Sequence, residues 1–361
     1  MKKYTMKDYV EETYDIALEN VEKYESLTDE LYQYCMNKDI NRIWFVASGS
    51  SYNALQGAYP FMKKLLPYEV KMVTPYTFTY YENHIGKEDV VIVITQSGLS
   101  TNAIQAIQKV NQLGLYSICL TGNIDSDVKL YAKKVIDYGV KEELVGYVTK
   151  GVSLLTLFLF LWTIRFVPDQ KTNYLSKIKQ AILYQKQVKE KTYAFIQENY
   201  QDLSSMRISY CCGAGGSYGV ALEGALKIGE TIHIPSFAYE IEEYIHGPNL
   251  QLTPNYTVFI FDTNDEASSR ISQIYEATKK VTNHTFMISN HKLYAQDKHV
   301  LYMDMEIDTE FLSFIYLPFV QLISYVISND LQSVKQHPLL KEFKKIADAK
   351  TENFVNYDDD E

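Results

Sequence analysis

Arg42-Ile43-Trp44-Phe45-Val46-Ala47-Ser48-Gly49-Ser50-Ser51-Tyr52, followed by Ala54-Leu55-Gln56-Gly57-Ala58, comes back in altered form later in the chain. The second copy is Arg207-Ile208-Ser209-Tyr210-Cys211-Cys212-Gly213-Ala214-Gly215-Gly216-Ser217-Tyr218, followed by Ala221-Leu222-Glu223-Gly224-Ala225. It lies 165 residues on at its start and 167 residues on at Ala54 and Ala221, a drift that implies two small insertions. The repeat therefore occupies about half of the chain. Each copy reads as an apolar strand, a loop of small residues and then a helix. Working outward, residues 89–95 match 257–262 as buried strands, 117–121 match 285–289, and 135–138 match 300–303. Each series ends in a strongly apolar helix, residues 152–164 and 311–327, and amphipathic helical patterns precede each copy at residues 6–37 and 174–199.

Strands alternating with helices imply parallel sheets, because a parallel crossover needs a long, usually helical connection. The expected fold class is α/β: two tandem doubly wound parallel-sheet domains related by internal duplication. Ligands of such sheets bind beyond the carboxyl ends of the strands. The first domain is expected over residues 1–170, the second over 171–345, and a C-terminal tail over 346–361. The linker falls at residues 168–173, where Pro168-Asp169-Gln170 interrupts the apolar helix. The final Asp358-Asp359-Asp360-Glu361 reads as a solvated charge run.

Bulk properties narrow the partners. With 46% hydrophobic and 22% charged residues the chain has globular composition. A net charge of -10 and no basic stripe argue against nucleic acid, whose binding needs clustered Lys and Arg. The longest uncharged apolar run, residues 152–164, stops at Arg165, short of the roughly 18 to 20 residues of a membrane span. The start, Met1-Lys2-Lys3-Tyr4, leads into Asp8, Glu11 and Glu12 without the apolar run of a secretory signal. A cytoplasmic protein with a small-molecule partner, neither nucleic acid nor membrane, is expected. Cys35, Cys119, Cys211 and Cys212 form no C-x-x-C pair, and no His spacing completes a zinc site. The cysteines read as reduced and structural, and neither metal nor organic cofactor is expected.

The two halves differ where a ligand would sit. In the first, the strand ends in Thr95-Gln96-Ser97-Gly98-Leu99-Ser100 and a helix follows. Hydroxyls, an amide side chain and the unpaired N–H groups of a helix start suit a phosphate, and Ser50 and Ser51 can close its other side. Taken alone, such a loop reads equally as a turn and helix cap. In the second half the matching loop is Asp262-Thr263-Asn264-Asp265-Glu266, whose carboxylates repel a phosphate. One phosphate site per chain is expected.

The second half carries different chemistry. Glu223, Lys227 and Glu230 lie at i, i+4 and i+7 on one helix face. Such a stripe is commonly an exposed salt-bridged face, but this helix is otherwise small and apolar, and buried charged groups acquire shifted pKa values that suit acid-base work. Farther on, His246-Gly247-Pro248 sets a histidine on a tight turn, a weak signal by itself.

These segments resemble the sugar isomerase (SIS) family, in particular the isomerase half of glutamine:fructose-6-phosphate amidotransferase and the fructosamine-6-phosphate deglycases. The most specific part is Ala221-Leu222-Glu223-Gly224-Ala225-Leu226-Lys227-Ile228-Gly229-Glu230 joined at the family's spacing to His246-Gly247-Pro248. The resemblance implies a flavodoxin-like fold and a phosphate loop formed by Gln96, Ser97 and Ser100, with Thr95 where the family often has Ser and Ser51 as the earlier serine. Ser48 stands where the amidotransferase has a cysteine. Glu230 matches the enolisation base, Lys227 a supporting polar residue, and His246 a ring-opening acid-base that comes from a partner protomer, which implies a homodimer. Thr149 and Lys150, with Glu143 nearby, match sugar-site residues, and Glu223 joins them. The chain lacks Cys at position 2 and a preceding glutaminase segment, and its final residues lack the amidotransferase's tail lysine, Lys350 being the nearest candidate. The implied activity is therefore a fructosamine-6-phosphate deglycase, with an aldose-ketose or amino-sugar-phosphate isomerase and a non-catalytic sugar-phosphate sensor as the alternatives.

Overall fold

The computed structural model describes residues 4–144, 146–333 and 339–354. The first half opens with α1 (Met6–Glu22) and α2 (Tyr24–Met36), so the helical pattern of residues 6–37 is two helices broken at Lys23. It continues with β1 (Arg42–Val46), α3 (Ser50–Leu65), β2 (Glu69–Val73), α4 (Pro75–Tyr80), β3 (Asp89–Thr95), α5 (Thr101–Gln112), β4 (Ile118–Thr121), β5 (Lys134–Asp137) and α6 (Lys150–Thr163). A turn at Pro168 redirects the chain by 114° into α7 (Lys171–Glu198). The second half follows as α8 (Tyr200–Ser204), β6 (Ile208–Gly213), α9 (Gly215–Ile232), β7 (Ser236–Glu240), α10 (Ile241–Ile245), β8 (Tyr256–Phe261), α11 (Ser268–Thr278), β9 (Thr285–Ser289), β10 (Val300–Tyr302), α12 (Leu312–Ile315), α13 (Leu317–Asp330) and α14 (Leu340–Ile346).

Each half forms a five-stranded, wholly parallel sheet, in the orders β2-β1-β3-β4-β5 and β7-β6-β8-β9-β10. The two orders are the same, as the duplication requires, and this is the flavodoxin-like winding. The four matched strand pairs occur where the sequence places them. The fifth strand of each sheet, β2 and β7, escaped the sequence pattern because of its composition: Glu69 is exposed, β7 holds no fully buried residue, and neither forms a continuous apolar run.

The inner faces of both sheets share one hydrophobic core, which α1, α3, α6, α7, α9, α12 and α13 fill. Every residue of α6 is buried, which explains its apolar sequence. The helical stretch Thr309–Asp330 is long and apolar enough to cross a membrane, yet 89% of its most apolar window is buried inside the protein. It is a core helix, bent before Pro318 into α12 and α13.

The two halves meet most closely where α3 crosses α9. A Cβ on Gly219 would lie 2.5 Å from the Gly57 backbone nitrogen and 2.6 Å from its Cα. Only backbone against backbone fits there, and this contact brings the N-terminal end of α3 onto the face of α9. Gly219→Ala is therefore expected to force the helices apart, lowering stability by about 1–3 kcal/mol and the melting temperature with it in thermal unfolding followed by circular dichroism.

Candidate active site

The loop after β1 and the start of α3 reach across the joint into the second half. Ser50 Oγ donates to Glu223 Oε1 at 3.0 Å and accepts from Lys227 Nζ at 3.2 Å, and Asn53 Nδ2 donates to Glu223 Oε2 at 2.8 Å. Lys227 Nζ is 3.1 Å from Glu223 Oε1 and also pairs with Glu230. The stripe on α9 is thus a buried network rather than a solvated face. Lys227 and Glu223 side chains are 1% and 0% exposed, while Glu230 keeps 29% exposure, so only Glu230 can meet a ligand.

The electrostatics follow from this enclosure. Burial alone disfavours the Lys227 ammonium, but Glu223 and Glu230 hold its pKa above the ordinary lysine value. Burial pushes the Glu230 carboxyl up from its ordinary value; Lys227 opposes the shift and Glu223 adds to it. A carboxylate raised in this way is a better proton acceptor near neutrality than a solvated one.

The hydroxyl-rich loop after β3 is built around Gly98, whose φ of +67° is left-handed. A Cβ there would fall 1.7 Å from Ser126 Oγ, so glycine is required twice over. Gly122 N and Thr121 Oγ1 fix the loop by donating to the Gln96 carbonyl at 2.9 and 3.2 Å. Thr95 Oγ1 donates to Ser100 Oγ at 3.2 Å, and the Leu99 amide to Ser97 Oγ at 3.3 Å. Lys350, far away in sequence, donates to both Ser97 Oγ and Ser100 Oγ at 3.1 Å. Asn102 Nδ2 donates to Ser48 Oγ at 3.4 Å, which ties the start of α5 to the loop that carries Ser50 and Ser51. Ser51, buried on α3, makes no side-chain hydrogen bond to a described residue, whereas the Ser50 hydroxyl is committed to the α9 cluster. The loop after β3 and the Glu230 cluster are therefore joined through residues 48–51.

Glu143 closes a third side. Its carboxyl accepts from the Thr149, Lys150 and Gly151 amides at 2.8, 2.8 and 3.1 Å, capping α6, and from Gln96 Nε2 at 3.4 Å. Desolvation outweighs these donors and pushes Glu143 up to about 7. The Thr149 carbonyl accepts from Gln321 of α13, and the buried Lys150 amine pairs with Glu12 of α1. His246 stands apart: it is exposed at the end of α10 and makes no polar contact with Glu223, Lys227 or Glu230 of its own protomer.

The second half has spent the equivalent of the cradle on itself. Asp262 is fully buried and accepts from Ser268 Oγ at 2.6 Å, Ser289 Oγ at 2.5 Å and the Asn264 amide at 3.3 Å. An internal carboxylate takes the donors that an external anion would use. The four cysteines are buried and unpaired, and burial pushes their thiols up, Cys35 to about 12.

A duplicated, doubly wound α/β protein with a donor-rich loop in one lobe and a buried carboxylate–ammonium cluster at the joint is the class that this geometry defines. The SIS domain profile matches residues 38–163 and again 203–328. The chain belongs to the SIS domain family. It is 23% identical over 300 residues to a glutamine--fructose-6-phosphate aminotransferase [isomerizing] of Idiomarina loihiensis, a match that covers 81% of this chain and 49% of the relative. The corresponding enzyme of Clostridium tetani is 27% identical over 275 residues, covering 74% of this chain and 43% of the relative. The chain thus spans about half the length of the curated relatives it matches. Among solved structures, a Clostridium difficile 630 protein with the provisional name phosphosugar isomerase superposes with a TM-score of 0.86 at 24% identity, covering 96% of this chain and 99% of that one. The C-terminal domain of glucosamine-fructose-6-phosphate aminotransferase from Francisella tularensis gives 0.80 at 20% identity, covering 91% and 96%. At these identities the superpositions establish the fold.

The triad makes a specific prediction. Replacing Glu223 by Gln removes a charge that raises the Glu230 pKa and frees Lys227 to act on Glu230 alone, so Glu230 titrates at lower pH in carboxyl-carbon NMR. The same change leaves a buried ammonium short of one counter-charge and costs about 3 kcal/mol in denaturant unfolding.

Proposed function

We propose that the chain is a phosphosugar-processing enzyme, and specifically a fructosamine-6-phosphate deglycase. The reading rests on one observation above all: Glu230 alone of the triad is partly exposed, its pKa is raised, and it is tied through Lys227 and residues 48–51 to the hydroxyl-rich loop after β3. In this reading Ser51, Gln96, Ser97 and Ser100 hold the phosphate. Glu230, oriented by Lys227, takes a proton from C1 of the opened sugar and returns one at C2. The C1 amine-bearing ketose becomes an aldose imine, and water then adds to release glucose 6-phosphate and the free amine. No hydride moves, so the balance needs no redox partner. Thr149, Lys150, Glu143 and Glu223 line or brace the sugar end.

His246 serves here as the ring-opening acid-base, supplied by a second copy of the chain. Its exposure, its lack of contact with the cluster of its own protomer, and the neighbouring exposed Phe237 and Leu250 support an intersubunit site. Relatives whose names join an amino group to a sugar phosphate, fructose-6-phosphate aminotransferases among them, favour amine chemistry at C1 and C2 over plain isomerisation.

Incubation with a fructosamine 6-phosphate is expected to release glucose 6-phosphate and amine in equal amounts. Glu230→Gln should lower kcat by about 10²- to 10⁴-fold while glucose 6-phosphate still binds in calorimetry. Interconversion of fructose 6-phosphate with an aldose, without amine release, would replace the deglycase by an isomerase. Binding with no turnover of any sugar phosphate would make the protein a sensor. Because Glu230 acts as its carboxylate and its pKa is raised, kcat/KM is expected to fall on the acid side at a pH above the ordinary glutamate range, measured as a pH-rate profile.

A further inference from the structure

A short C-terminal strap lies across the loop after β3. The Thr101 amide donates to the Ala349 carbonyl at 3.0 Å, the Thr351 amide to the Leu99 carbonyl at 2.9 Å, and Ser100 and Lys350 form an antiparallel bridge between them. Asn353 Nδ2 anchors the far end on Asp127 Oδ1 at 2.9 Å. Backbone bonds on both sides of Lys350 thus fix where its side chain enters. That side chain is partly buried, donates to Ser97 Oγ and Ser100 Oγ, and lies 5.3 Å from the centre of the Phe354 ring. Among the described residues no carboxylate pairs with its amine, unlike Lys150, which Glu12 holds, and Lys227, which Glu223 and Glu230 hold.

The hydrogen-bond inventory says what is missing. Ser97 Oγ accepts from Lys350 and the Leu99 amide, and Ser100 Oγ accepts from Lys350 and Thr95. Both hydroxyls have used their acceptor capacity and keep their hydrogens to donate, and the ammonium keeps its third donor. Donors and a positive charge converge with no acceptor among them, and a dianionic phosphate ester supplies several acceptor oxygens and the opposite charge. The strap consumes the Thr101 amide, one of the free N–H groups at the start of α5, and brings a full charge in its place. Burial lowers the Lys350 pKa and the Asp348 carboxylate opposes the shift; an anion bound at the amine would raise it.

We infer that Lys350, carried on the C-terminal strap, is the cationic ligand of the substrate phosphate and thereby a determinant of selectivity for phosphorylated sugars. The inference deepens the phosphosugar reading above and rests on it. It assigns Lys350 to the phosphate end, beside Ser97 and Ser100, and not to the sugar carbonyl.

The test is calorimetric binding of glucose 6-phosphate and of inorganic phosphate to the full chain and to three variants. Lys350→Met is expected to weaken both by about 10- to 100-fold, the worth of a charge-assisted hydrogen bond, whereas Lys350→Arg, which keeps the charge, should stay within about threefold of the parent. Ser97→Ala is the control for the cradle itself. If Ser97→Ala weakens binding and Lys350→Met does not, the Lys350 inference is overturned and the phosphate loop stands. If Ser97→Ala also binds like the parent, the cradle falls and the inference with it. Borohydride reduction in the presence of fructose 6-phosphate should leave Lys350 unmodified by peptide mass; a sugar adduct there would place it at the carbonyl and overturn the assignment.

Discussion

One buried ammonium organises the centre of this protein. Lys227 carries a full charge with 1% of its side chain exposed, and such a charge survives only if counter-charges and hydrogen bonds surround it. Glu223 and Glu230 come from its own helix, one turn away on either side, but Ser50 comes from the other lobe. The network therefore closes only when the two lobes pack, and the Gly57–Gly219 crossing lets α3 come near enough to close it. Folding, lobe docking and assembly of the candidate site are in this respect one event.

The duplication explains why the two halves of the site differ. Both lobes share one winding, and both place a hydroxyl-bearing loop beyond the central strand of the sheet, β3 in one and β8 in the other. In the second lobe, Asp262 satisfies Ser268, Ser289 and the Asn264 amide from within, which turns an anion site into a rigid corner. That lobe is then free to contribute the acid-base helix α9. The first lobe keeps its donors outward, with Gly98 giving the backbone room. A single ligand held between the lobes would thus meet an anion-seeking end and a proton-moving end.

Most of the architecture was legible in the sequence because repetition supplies its own check: a strand assigned in one half had to reappear in the other, and four pairs did. The strands β2 and β7 were not legible, since neither carries a continuous apolar run, whereas the opposite edges β5 and β10 were found because each reappears in the other half. The i, i+4, i+7 stripe on α9 gave the cluster's own three members, but periodicity on one helix is silent about Ser50 and Asn53, which complete it from another. The same limit hid Glu12 as the partner of Lys150, and above all the contacts of Lys350 with Ser97 and Ser100, which span about 250 positions of chain; the resemblance had singled Lys350 out only as the nearest candidate for a tail lysine. A lysine in a polar tail looks like any solvated lysine until the strap's backbone bonds are seen.

The account turns on a single small molecule bridging the two ends. A crystal structure of the protein soaked with glucose 6-phosphate measures this directly. The phosphate should lie against Ser97 and Ser100, with C1 or C2 within about 3–3.5 Å of the Glu230 carboxyl. A phosphate bound elsewhere, or a sugar whose C1 and C2 point away from Glu230 in every subunit, would contradict it.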